Sequence, residues 1–290
     1  MYPRPELVAA FFTLAGDVSP WGGSLVSPHD LRERAEAASA AGYVGMGFVS
    51  VDLEAAIDHH GVAGVRSILA DNGIRYLELE AIVRWLAEGE DCVAADAHRL
   101  KLLEMAAELD VWNIKALGDF SGREWPIDFM TERFHTICAD TAARTDAQVT
   151  IEIFPTTNIR DLKTATAVVE GADMANGGLL LDIWHMTRGG VAYADFAKVP
   201  SRWIKAIELN DATAELVGDL MDDSSNRRRL PGEGDFDIPS FLRHVRETGY
   251  VGPYGVEIAS EEHRRLPLAE AAQRSFDATM EQFTQFRNTV

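Results

Sequence analysis

The chain has 290 residues, 47% of them hydrophobic and 25% charged, which suits a folded protein with a substantial core and excludes a disordered tail, a fibrous repeat or a stapled mini-protein. Its 27 Lys and Arg stand against 46 Asp and Glu, a formal net charge of −19 that repels nucleic-acid phosphates and anionic membrane surfaces. Cys92 and Cys138 sit in no CxxC or Cys/His zinc spacing, so a disulfide framework and a structural zinc site have no support, and a reducing cytoplasm is the expected location.

In chain order, the first apolar run, residues 7–15, follows Arg4 as a signal-peptide core would. It lacks a small-x-small cleavage site and reads as a buried strand over 8–14. No run reaches the roughly 18 apolar residues of a membrane span. A helix is expected over 28–41, with Ser27 as cap and Gly42 as stop. Strands are expected over 44–50, 74–80, 111–117, 149–154, 179–183, 204–209 and 254–258, with a helix over 239–248 ended by Gly249 before the last of them. Eight strands alternating with helices predict a closed (β/α)8 TIM barrel, one domain over 1–290. An open doubly wound sheet is the alternative, weakened because no GxGxxG or Walker loop follows a strand and no Pro/Gly/Ser-rich linker divides the chain.

Side-chain parity supports closure, because a barrel strand shows one set of residues to the helices and the other to the lumen. Val149, Ile151 and Ile153 alternate with Thr150, Glu152 and Phe154, and the later strands behave alike, which turns Glu152, Asp182, Glu208 and Glu257 inward. Each lies near the carboxyl end of its strand, where barrel enzymes assemble their sites. A single such acid is commonly a helix cap or a salt-bridge partner. Four in phase would repel one another, and a divalent cation is the simplest compensation. Oxygen-rich coordination favours Mn²⁺ or Mg²⁺, with Co²⁺ or Zn²⁺ admissible.

Other residues fall near the same rim. Glu78 and Glu80 share one face of their strand, and Lys115 ends the next; Glu80 and Lys115 fit either a structural ion pair or substrate contact. Arg227, Arg228 and Arg229 form the one basic cluster, suited to phosphate or carboxylate or else a solvated run offsetting Asp219, Asp222 and Asp223; Arg229 is taken as the substrate contact. Trp21, Phe48, Trp125 and Trp184 could cover the apolar face of a sugar or simply fill the core, Trp184 being the one assigned to substrate. His185 could donate to a developing alkoxide or relay a proton, or be a core histidine bonded to a carbonyl.

The segments IEIFPTTNI (151–159), LLLDIWHM (179–186), IELND (207–211), LPGEGDFD (230–237) and GYVGPYGVEI (249–258) resemble the xylose isomerase-like superfamily of sugar phosphate isomerases and epimerases. The resemblance implies one divalent metal held by a Glu, an Asp, a His or Gln and a Glu on the fifth to eighth strands, by position Glu152, Asp182, Glu208 and Glu257. Glu208 departs from that pattern and is either a fourth carboxylate ligand or a base beside a metal completed by water. The resemblance further implies that Glu152 and Glu257 exchange the substrate proton from opposite faces, that His185 of the DxxH assists, and that the reaction is 1,2-isomerisation or 3-epimerisation. Relatives that dehydrate inososes or 3-dehydroshikimate, or that cleave 3-keto glycosides, keep a lyase as the alternative; a barrel that has lost its metal would be a scaffold. The negative charge favours a neutral or monoanionic sugar or cyclic polyol as substrate, with no nucleic-acid or membrane partner, and leaves homo-oligomerisation open.

Overall fold

Eight parallel strands close on themselves in sequence order, β1 pairing with both β2 and β8. The computed structural model describes residues 4–289. The strands are β1 (Leu7–Ala9), β2 (Gly45–Val49), β3 (Tyr76–Ile82), β4 (Asn113–Leu117), β5 (Gln148–Glu152), β6 (Gly177–Asp182), β7 (Ile204–Leu209) and β8 (Tyr254–Val256). This is the expected (β/α)8 barrel. No described helix is long and apolar enough to cross a membrane.

The outward set of each strand is bulky and fully covered: Val149, Ile151, Leu179, Leu181, Leu209 and Val256 have no accessible surface. Covering such a side chain contributes roughly 1.5–3 kcal/mol each, which holds the helical ring on the barrel. The lumen is not the usual stack of branched apolar layers. Thr150 donates to Asn113 Oδ1 at 3.1 Å, Asn113 Nδ2 donates to Glu78 Oε2 at 2.8 Å, and Lys115 stands above them.

Three sequence expectations need correction. The first strand ends at Ala9 rather than running to 14, and Phe11–Leu14 turns into a short helix. An unbroken apolar run has no period to tell strand from helix. The turn lets the Thr13 hydroxyl donate to the Val256 carbonyl at 2.6 Å and accept from Ile258 N at 2.9 Å, tying β1 to β8 beyond the ladder. The first long helix begins at Leu31, not 28, because Asp30 and Glu33 make a reciprocal capping box; Ser27 lies before it, bonded to His29 N. It ends, as expected, at Gly42, whose φ of 112° is left-handed. The fifth strand likewise stops at Glu152, and Phe154 N bonds to Ile159 O in the loop beyond.

Candidate active site at the carboxyl ends of the strands

Strand register sets the acids around the mouth of the barrel. Asp182 on β6 lies opposite Glu208 on β7, and Glu208 lies opposite Gly255 on β8, two residues before Glu257. Glu152 closes β5. All four carboxylates are buried, as parity required. They gather as two overlapping triads rather than one quartet: donor atoms of Glu152, His185 and Glu257 lie within 4.8 Å of one another, and so do those of Asp182, Glu208 and Glu257.

The DxxH has a local cause. Asp182 is the N-cap of the helix Ile183–Arg188, its Oδ1 accepting from Trp184 N at 2.6 Å and His185 N at 3.1 Å. That turn aims His185 back into the mouth, where Nε2 meets Glu152 Oε1 at 2.8 Å and the ring packs on Phe154 with centroids 4.1 Å apart. His185 is therefore bonded to a clustered carboxylate and not to a loop carbonyl.

Two cations stand among the acids, so the compensation assigned from the sequence to a metal alone is shared with the protein. Lys115 Nζ lies 2.6 Å from Glu208, 3.1 Å from Glu80, 3.3 Å from Glu78 and 3.5 Å from Glu257. Arg228 Nη1 bridges Asp182 Oδ2 at 3.0 Å and Glu257 Oε2 at 2.6 Å, and its Nη2 is 3.4 Å from His185 Nε2. Burial alone would raise the Glu152 carboxyl, but the His185 hydrogen bond and the charges of Lys115, His185 and Arg228 outweigh it and hold the group down at about 2. Burial wins at Glu80, pushed up to about 8 against the pull of Lys115, and at Glu208, which rises well above the carboxylate range. Burial opposes the charge on Lys115, yet Glu208, Glu78, Glu80 and Glu257 together raise its pKa well above the usual value.

The donor set fits a divalent cation. Glu78, Glu80, Glu152, Asp182, Glu208 and Glu257 are six acids against two permanent cations, in a site nearly closed to water. Both Glu208 oxygens are buried without a hydrogen-bond partner, Oε1 lying against the Lys115 ammonium and Oε2 against no charged group, in a residue that forms a triad with Asp182 and Glu257. A partnerless buried carboxylate oxygen costs several kcal/mol, and a metal ion would satisfy it.

The remaining sequence candidates divide. Glu80 and Lys115 form an ion pair, one of the two readings open to them. Trp184 is fully buried and donates Nε1 to Asp223 Oδ2 at 2.8 Å, standing edge-on to His185 rather than open at the mouth. Phe48 is core, under the Arg34 guanidinium. Trp125 stacks on Phe129 and lines a cavity of about 280 Å³ between the loops after β3 and β4, which contains none of the clustered carboxylates. Arg229 is corrected: it is exposed and donates to the Glu233 carbonyl, while Arg227 pairs outside with Asp222. Their neighbour Arg228 is the one that enters. Bridges from Arg227 to Ser260 and from Arg229 to Asp211 hold this stretch extended, so the middle residue faces the other way. The period-2 rule could have found it, had the stretch been read as extended. Asn210, which donates to Asp182 Oδ2 at 2.8 Å, was also missed.

A strap joins the loops that follow β1, β4 and β7. Trp21, in the loop after β1, donates Nε1 to Ser225 Oγ at 3.0 Å and meets Phe120, in the loop after β4, edge-on at 6.1 Å. Phe120 packs in turn on Phe154.

A family model described as xylose isomerase-like TIM barrel matches residues 35–281. An inosose isomerase of Halalkalibacterium halodurans is 29% identical over 127 residues, 44% of each chain. A 3-dehydroshikimate dehydratase of Pseudomonas aeruginosa is 34% identical over 100 residues, 34% of this chain and 16% of that one. The matches thus span less than half the length of these curated relatives. Among solved structures, the IOLI protein with a bound zinc atom superposes with a TM-score of 0.82 at 17% identity, covering 97% of this chain and 99% of that one. A D-psicose 3-epimerase in the presence of D-fructose gives 0.73 at 16% identity, covering 97% and 98%. At such identities these structures show a shared fold.

Proposed function

The chain belongs to the xylose isomerase-like TIM-barrel family, and from that premise we propose that it is a divalent-metal-dependent isomerase or epimerase of a keto sugar or keto polyol. The observation that carries the reading is the convergence of Glu152, His185 and Glu257 from β5, the turn after β6 and the end of β8. Asp182, Glu208 and Glu257, with Glu152, would hold the ion, and their hard oxygens favour Mn²⁺ or Mg²⁺. When bound it would supply Lewis acidity toward adjacent hydroxyl and carbonyl oxygens, making a neighbouring C–H acidic. The protein's part is to place a base and an acid on either side of that carbon. Glu152 stays ionised and orients His185; Glu257, fixed by Arg228, faces them. Arg228, at hydrogen-bond distance from two carboxylates and beside His185, holds the geometry as the proton moves. The inosose isomerase similarity supports a cyclic polyol among the substrates.

A second reading, elimination, is favoured by one detail. His185 bonds Glu152 through Nε2 while Nδ1 is buried with no partner, the arrangement of a histidine base oriented by a carboxylate. The dehydratase similarity points the same way. Incubating the Mn²⁺-loaded protein with ketoses, inososes and 3-keto sugars in D₂O separates the two. Deuterium next to the carbonyl in a rearranged or epimerised product of otherwise unchanged mass supports isomerase or epimerase chemistry, whereas loss of water or an aglycone supports elimination. Glu257→Gln should lower either rate by about 10²–10⁴-fold. Full activity in that variant overturns the assignment.

A further inference from the structure

A carboxylate on β7 needs a counter-charge that a neutral donor there would not, and in this barrel the counter-charge comes from three strands away. Lys115 is fully buried on β4, and its shortest contact is to Glu208, at 2.6 Å. The Glu208 stem has been given a slot. Its register partner on β8 is Gly255, where a Cβ would fall 2.6 Å from Glu208 Cγ and 3.1 Å from Oε1. No side chain larger than hydrogen at 255 leaves Glu208 where it is. The stem lies across a glycine and Oε1 against an ammonium, which leaves the second oxygen without a charged partner. That oxygen, Oε2, has no hydrogen-bond partner, and donor atoms of Asp182 and Glu257 lie within 4.8 Å of Glu208's.

We propose that Lys115 is a positioning residue for the metal centre: by gripping Oε1 of Glu208 over Gly255, it turns Oε2 toward a divalent cation shared with Asp182 and Glu257. The inference rests on the metal-dependent reading above and adds a supporting residue to it. Residues that hold a metal ligand in place in this way alter metal affinity about 10–100-fold when removed.

The test is Mn²⁺ affinity, measured by calorimetry on chelator-stripped protein, with the melting temperature in EDTA recorded separately for each variant. Lys115→Met should weaken Mn²⁺ binding about 10–100-fold, beyond any change in the stripped protein's melting. Glu208→Gln should weaken it comparably, and the double variant no further than either alone, because each breaks the same unit. If Lys115→Met does not fold, Gly255→Ala displaces Glu208 with Lys115 in place and should weaken binding in the same range. Wild-type affinity in Lys115→Met, or in Gly255→Ala where Lys115→Met is insoluble, overturns the proposal while leaving the metal reading intact. If the unaltered protein takes up neither Mn²⁺, Mg²⁺, Co²⁺ nor Zn²⁺, the metal reading fails first and carries the proposal with it.

Discussion

Arg228 and Arg229 are adjacent in sequence and opposite in consequence. Arg228→Met strands Asp182 and Glu257 without their guanidinium and should destabilise the metal-free protein by about 3–5 kcal/mol. Arg229→Met, on the exposed side, should stay within about 0.5 kcal/mol, and urea denaturation of the pair in EDTA checks both. His263 adds a pH dependence. Burial lowers its pKa to about 4, with the Arg274 charge in the same sense, against the hydrogen bond to Thr13 O. A histidine depressed in the folded state adds stability that is complete above its unfolded value near 6.5 and lost as the pH falls toward 4, about 3 kcal/mol in all. The urea midpoint of the protein should therefore fall relative to that of His263→Gln across this window; parallel curves would refute it. At this scale the inward acids were legible, because period-2 parity is a local property of a strand. Lys115 with Glu208 was not, since a pairing between β4 and β7 depends on which side chains reach each other across the lumen, which no local pattern encodes.

The LPGEGDFD segment was recognisable as a motif, but its physical reason appears only in the fold. Asp211, just past β7, accepts hydrogen bonds from Gly232 N, Gly234 N and Phe236 N at 2.9–3.0 Å, and so winds the loop around one carboxylate. A Cβ on Gly234 would lie 2.2 Å from Asp211 Oδ1 and 2.4 Å from the Ala212 carbonyl. Gly234→Ala should thus cost about 1–3 kcal/mol and lower the melting temperature by several degrees, read by calorimetry. The same loop follows the extended stretch that presents Arg228, so metal affinity should fall with it. β7, an alternating run, was placed to the residue; β1 was not, because three residues of strand and four of helix share one apolar run.

For the whole molecule, binding of an ion to the folded state alone raises stability by mass action, about 2.7 kcal/mol at 100 times the dissociation constant. For a chain of this size that is roughly 4–5 °C of melting temperature, so stripping with EDTA should lower the transition by that amount and Mn²⁺ should restore it. An unchanged transition on both treatments would count against the metal reading. Closure of the barrel, and the ring of acids that follows from it, was legible from eight alternating elements; the reach of the two internal cations was not, because Lys115 fits a rim ion pair and Arg228 a solvated basic run equally well. The strap at Trp21 has a kinetic corollary. One indole hydrogen bond and one pair of rings tie the loops after β1, β4 and β7, and a guest that enters between those loops waits for the contacts to part, so under the reading proposed above loop opening, rather than carbon chemistry, would set the ceiling on throughput. Turnover should then slow in proportion to added viscosogen, and Trp21→Ala should unhinge the two.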